Sequence, residues 1–145
     1  MKIKNELHHE ISNIKPIAGM VNALCEIKNV GLKLGVMSSN STDNIKLFLS
    51  ENKLDNIFDF IYSGKNIFGK DKVISHLLRK QKINKKSVIY VGDETRDIDA
   101  LKRIKIPIIA VSWGFNSHEV LEKQNPDALI DSPEQLLQCI LNLGN

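Results

Sequence analysis

Residues 87–99, SVIYVGDETRDID, constrain this chain more than any other stretch. An apolar run, Val88 to Val91, stops at Gly92 and is followed by two carboxylates, Asp93 and Asp97. A run without polar interruption, rich in β-branched residues, reads as a buried parallel strand. Gly92 allows the sharp bend that ends it. Asp93 then falls at the carboxyl end of the strand, where ligands bind in open α/β sheets. Thr95 is expected to cap the next helix, with Asp97 in its first turn, four residues after Asp93. Two carboxylates held at a strand end make a hard-oxygen site suited to Mg²⁺. The same pair would also serve as a turn residue and a first-turn helix acid. The remainder of the chain has to decide between these readings.

That remainder alternates helix and strand. Ile3, Leu7, Ile11 and Ile14 stand at helical spacing in residues 1–15, an amphipathic helix with His8 and His9 off its apolar stripe. Adjacent histidines point in different directions on a helix, so they read as a solvated face and not as a metal pair. After Pro16 and Gly19, helices are expected over 19–29, 42–53, 70–81, 95–104, near 117–123 and over 133–143. Strands are expected over 32–37, 58–63, 87–91, 107–111 and 127–130, with a loop at 65–69. This alternation calls for a parallel sheet covered by helices on both faces, joined by right-handed crossovers.

Composition narrows the function classes. The 145 residues allow one domain with a real core; 42% are hydrophobic and 26% charged, which implies neither disorder nor a membrane span. The net charge of +3 comes from lysines scattered among acids, not from a basic stripe, so nucleic-acid binding is unsupported. No G-x-G-x-x-G follows a strand and no G-x-x-x-x-G-K-[ST] is present, which weakens a nucleotide-binding reading. Cys25 and Cys139 lie far apart in apolar helical patterns and read as core thiols of a reducing compartment. The first ten residues, MKIKNELHHE, have no signal-peptide character, and a cytoplasmic protein is expected.

Three polar features follow three expected strands: Ser39-Asn40, then Lys70 at the opening of a helix, then Asp93 with Asp97. A hydroxyl, an ammonium and a carboxylate pair that can hold Mg²⁺ are the parts that phosphoryl transfer requires. Serines often cap helices and lysines are usually solvated, but this order, each after a strand, is harder to dismiss.

With these residues in place the chain resembles the haloacid dehalogenase superfamily of phosphohydrolases, in the branch of the phosphoglycolate phosphatases. The likeness runs from about Pro16 to Leu137. The family's strand ending in Ser or Thr is matched by GVMSSN at 35–40, its helix-opening lysine by FGK at 68–70, and its G-D-x-x-x-D by GDETRD at 92–97. Trp113-Gly114-Phe115 and Pro126-Asp127 resemble its later part. The resemblance implies an α/β, three-layer Rossmann-like core with a parallel sheet. It implies Ser39 and Lys70 as catalytic groups, phosphate binding by Ser39, Asn40 and Lys70, and Mg²⁺ on Asp93 and Asp97. A small phosphorylated metabolite is the implied partner, with neither nucleic acid nor membrane.

Several neighbours compete for these roles. Lys72 rivals Lys70, which is preferred because it directly follows Gly69. Glu94 and Asp99 read as helix-start and surface acids, although Glu94 could reach a metal-bound water. Arg96 could pair with either acid. Trp113 is expected at the sheet's edge, and His76 and His118 look peripheral.

One family element is missing from the sequence. D-x-D-G-T, which carries the family's aspartate nucleophile and its acid/base at the end of the first strand, does not occur, and Asp55, Asp59 and Asp71 have no such context. Residues 1–15 are therefore read as the last helix of the family's cap and 16–145 as a core lacking its usual first, central strand. Without that strand, its two neighbours must pair directly, leave a gap, or accept a strand from a complementing N-terminal segment or through self-association. Unpaired backbone groups in such a gap cost on the order of 1–3 kcal/mol each. Three readings stay open: a partial copy of a Mg²⁺-dependent phosphatase, a silent remnant that binds metal, phosphate or protein, and half of a split enzyme.

Overall fold

The computed structural model describes residues 18–64 and 69–144. The helix expected over 1–15, with His8 and His9, lies outside them, as does nearly all of the 65–69 loop. The chain divides into two compact units, Met1–Asn66 and Ile67–Asn145.

In the first unit, α1 (Met20–Asn29) enters from Gly19 in a left-handed conformation and buries Ala23, Leu24 and Ile27. Strand β1 (Gly35–Ser38) runs parallel to β2 (Phe60–Ser63), with α2 (Thr42–Glu51) between them in sequence. β1 starts three residues later than expected because Leu34 is tied to Asp59 ahead of the ladder. The Leu34 N–H donates to the Asp59 carboxylate at 2.7 Å, and the Asp59 N–H donates to the Leu34 carbonyl at 2.6 Å. Gly35 faces Phe60 in register, and a β-carbon there would lie 2.1 Å from the Phe60 ring. Ser41 caps α2 by accepting from the Asn44 N–H at 3.2 Å, and Asp43 complements the helix N-terminus. Ile45, Phe48 and Leu49 are buried, as their i, i+3, i+4 spacing predicts.

In the second unit, α3 (Lys70–Lys80) buries Ile74, Leu77 and Leu78, and β3 (Tyr90–Gly92) follows a short 3₁₀ turn at Lys85–Ser87. That turn, pinned by the Asn84 side chain accepting from the Lys86 N–H at 3.0 Å, occupies the start of the expected strand. Helix α4 (Thr95–Ile104), strand β4 (Ile108–Val111), helix α5 (His118–Glu122) and strand β5 (Ala128–Ile130) complete a parallel sheet ordered β3-β4-β5, with β3 at one edge. β4 is central and entirely buried, which explains its unbroken IIAV. A 3₁₀ turn at Pro133–Gln135 leads into α6 (Leu136–Leu143), so the last expected helix is divided. The mixed α/β architecture with parallel strands is the expected one.

Cys25 and Cys139, expected in the core, are only half-buried in α1 and α6. Among the described residues no helix is long and apolar enough to cross a membrane.

Candidate functional site

The turn after β3 collects buried charge. Asp93 is 1% exposed, Asp97 is fully buried, and Glu94 between them is 4% exposed. Burying three acids demands partners, and the second unit supplies them. Lys70, at the first position of α3, forms an ion pair with Asp97 Oδ1 and is itself 12% exposed. Asp97 Oδ2 accepts from the Glu94 N–H at 3.2 Å. Asp93 Oδ2 accepts from the Phe115 N–H at 3.0 Å. Glu94 pairs with Arg96. Gly92 makes room for this arrangement, since a β-carbon there would lie 2.7 Å from Asp97 Oδ2 and 3.0 Å from the Tyr90 ring.

Some sequence expectations change here. Glu94, not Thr95, is the N-cap residue of α4; Thr95 is the first helical residue. The Thr95 N–H needs an acceptor from elsewhere, and Asn116 Oδ1 provides it at 3.0 Å. Glu94 begins the helix as expected but is not a surface acid. Asp99 is exposed, as expected. Of the two competing lysines, Lys70 reaches Asp97 while Lys72 is exposed.

Burial, followed by the charges of Asp97, Asp93 and Glu94, pushes the Tyr90 phenol well above its ordinary range. Its hydroxyl has no hydrogen-bond partner among the described residues. Set against Lys70 and Arg96, the three carboxylates leave the turn net negative, and its potential cation ligands are oxygens. That chemistry fits Mg²⁺, which keeps several waters and needs only one or two carboxylates. Among the described residues there is no group of three or more His, Cys, Asp or Glu side chains able to hold a metal.

Ser39 and Asn40 belong to the first unit and form its own polar turn after β1. Ser38 Oγ accepts from the Asn40 N–H at 3.1 Å, and Asn40 Oδ1 accepts from the Ser41 N–H at 3.0 Å and from Asn44 Nδ2 at 2.7 Å. The Ser63 hydroxyl donates to the Asn40 carbonyl. Asn40 is buried with its acceptor oxygen fully used, yet its Nδ2 donor has no hydrogen-bond partner among the described residues. A buried orphan donor costs on the order of 1–3 kcal/mol, and an anion would satisfy it. Ser39 is half-buried beside it.

His118, expected to be peripheral, makes exposed contacts with two acids. Its Nδ1 lies 2.7 Å from Asp131 Oδ1 and its Nε2 lies 3.5 Å from Glu122, while the Ser112 hydroxyl donates to Asp131 Oδ1 at 2.6 Å. The hydrogen bond to Asp131 raises the His118 pKa, and the bonds from Ser112 and His118 lower that of Asp131. Sequence reasoning also passed over Asn116. Nothing in its neighbourhood marks a lone Asn in a loop.

Comparison with known proteins identifies the family. Residues 1–111 match the model of the haloacid dehalogenase-like hydrolase family. A phosphoglycolate phosphatase of Synechococcus elongatus is 32% identical over 142 residues, covering 98% of this chain and 67% of that protein. A pyrophosphatase of Bacillus cereus is 23% identical over 146 residues, covering 99% of this chain and 67% of that protein. Among solved structures, a predicted phosphatase from Clostridium acetobutylicum superposes with a TM-score of 0.78 at 28% identity, over 87% of this chain and 60% of that one. The chain therefore spans between about three-fifths and two-thirds of these relatives' length. It belongs to the haloacid dehalogenase-like hydrolase family, and within it resembles the phosphoglycolate phosphatases.

Proposed function

We propose that this chain carries the phosphate-binding and cation-binding elements of a Mg²⁺-dependent phosphomonoester hydrolase of the phosphoglycolate phosphatase kind. The observation that carries the reading is the buried Asp93–Asp97 turn with Lys70 on Asp97. In the first unit, the orphan Nδ2 of Asn40 and the Ser39 hydroxyl would donate to phosphate oxygens. In the second, Asp93 and Asp97 would hold Mg²⁺, and Lys70 would fix the Asp97 carboxylate and offset negative charge. Bound Mg²⁺ supplies charge neutralisation for a transferring phosphoryl group. The substrate class is a small phosphorylated metabolite, with phosphoglycolate favoured by the Synechococcus relative.

The sequence contains no D-x-D-G-T. Turnover by the family's covalent route therefore needs an aspartate nucleophile supplied by another segment. The test compares hydrolysis of phosphoglycolate, pyrophosphate and p-nitrophenyl phosphate by this chain alone and by the chain joined to a segment bearing that motif. The expected result is no turnover alone and Mg²⁺-dependent turnover when joined, lost again in Asp93→Asn. Full activity in the joined Asp93→Asn protein overturns the metal assignment. A joined protein that binds Mg²⁺ but never turns over favours a silent binding module.

A further inference from the structure

The loop that leaves β4 holds the carboxylate turn at three points. The Phe115 N–H donates to the Asp93 carboxylate at 3.0 Å, the Asn116 N–H donates to the Asp93 carbonyl at 3.1 Å, and Asn116 Oδ1 accepts from the Thr95 N–H at 3.0 Å. One residue thus grips the turn on both sides of Glu94. The grip on Thr95 matters most. Thr95 N–H is among the first amides of α4, which have no acceptor inside the helix. The N-cap Glu94 carboxylate accepts from the Asp97 N–H in a capping box and pairs with Arg96, so it serves the third helical amide and not the first. Asn116, 21 residues further along the chain, supplies an acceptor for Thr95 instead.

We propose that Asn116 is the positioning residue of the Asp93–Asp97 site: its amide oxygen fixes the first turn of α4 against Asp93, and this sets the affinity of the pair for a divalent cation. The inference rests on the Mg²⁺ reading given above. Asn116 itself is not a ligand; it acts through the backbone that presents both carboxylates. Supporting groups of this kind typically govern metal affinity by tenfold to a hundredfold. The adjoining residues fit the role. Ser117 caps α5 by accepting from the Val120 N–H at 3.4 Å, so the loop is anchored just beyond Asn116.

The experiment measures Mg²⁺ binding by titration calorimetry and hydrogen exchange of the Thr95 amide in the full chain, in Asn116→Ala and in Asn116→Asp. Asp keeps an acceptor oxygen at the same reach, whereas Ala removes it. The expected result is about tenfold or greater weakening of Mg²⁺ binding in Asn116→Ala with faster Thr95 exchange. Asn116→Asp should restore Thr95 protection and most of the affinity. Asn116→Ala binding Mg²⁺ as tightly as the parent overturns the inference and leaves the metal reading standing. Equal weakening in both variants shows that the acceptor oxygen is not the active element, and also overturns it. A parent chain that binds no Mg²⁺ while its Thr95 amide is protected overturns the metal reading, and the affinity claim falls with it.

Discussion

Asp97 lies directly over Gly92: a β-carbon on Gly92 would come within 2.7 Å of Asp97 Oδ2 and 3.0 Å of Asp97 Cβ. The glycine is required by a side chain five residues later, not by its own backbone angle. Gly92→Ala should therefore push the Asp97 carboxylate off its seat, costing about 1–3 kcal/mol of stability by overpacking. Mg²⁺ binding should weaken along with it. Chemical denaturation with and without Mg²⁺ checks both effects, and an unchanged Mg²⁺-induced stabilisation would contradict the seating argument.

Lys70 holds the buried Asp97 carboxylate as an ion pair through Oδ1. Removing the ammonium takes the Lys70 charge away from a fully buried carboxylate, and breaking a buried pair in this way typically costs about 3–5 kcal/mol. Lys70→Ala should accordingly destabilise the metal-free chain by roughly that amount, while Lys72→Ala, at an exposed position, should stay within about 0.5 kcal/mol of the parent. Added Mg²⁺ should stabilise Lys70→Ala more than the parent, because it replaces the lost charge. Thermal melts across a Mg²⁺ series give the comparison.

The sequence made the second unit's site legible because its spacing is local. Gly92, Asp93 and Asp97 share one strand-to-helix turn, so four-residue spacing and a preceding apolar run were enough. The helix over 95–104 was legible to the residue for the same reason. Strand starts were not. β1 begins late because Leu34 is bound by Asp59, a partner distant in sequence, and β3 begins late because a local 3₁₀ turn pinned by Asn84 forms at residues 85–87. The N-cap was misplaced by one residue because Thr is a common cap, whereas here Asn116 satisfies the Thr95 amide from 21 residues away. Asn40 was legible as a phosphate candidate, but its orphan donor appears only once Ser41 and Asn44 are seen to occupy its oxygen.

Gly35 offers a second steric test, confined to the first unit. With the Phe60 ring 2.1 Å from a β-carbon at this position, Gly35→Ala should destabilise by about 1–3 kcal/mol. Phe60→Leu in the Gly35→Ala background should recover part of the loss. Equilibrium unfolding of the single and double variants measures the coupling, and strict additivity would contradict the contact.

His118 gives a pH signature. Its pKa is raised by the bond to Asp131, so its stabilising contribution is complete below about pH 6.5 and fades as pH climbs through the raised value. Asp131 has a lowered pKa, so its contribution holds above its ordinary value and fades as pH falls through the lowered one. The difference in melting temperature between parent and His118→Gln should therefore be largest in mildly acidic solution and shrink on the alkaline side. A difference that is constant from mildly acidic to alkaline pH would contradict the Asp131–His118 bond.

Mg²⁺ binding by the Asp93–Asp97 turn is the property on which the proposed function depends. The most direct measurement is a Mg²⁺ titration of the ¹⁵N-labelled chain followed by amide chemical shifts. The account predicts saturable shifts centred on Asp93, Glu94, Asp97 and Phe115, abolished by Asp93→Asn while the fold's other resonances stay in place. Shifts that scatter over surface acids, or that persist unchanged in Asp93→Asn, would contradict it.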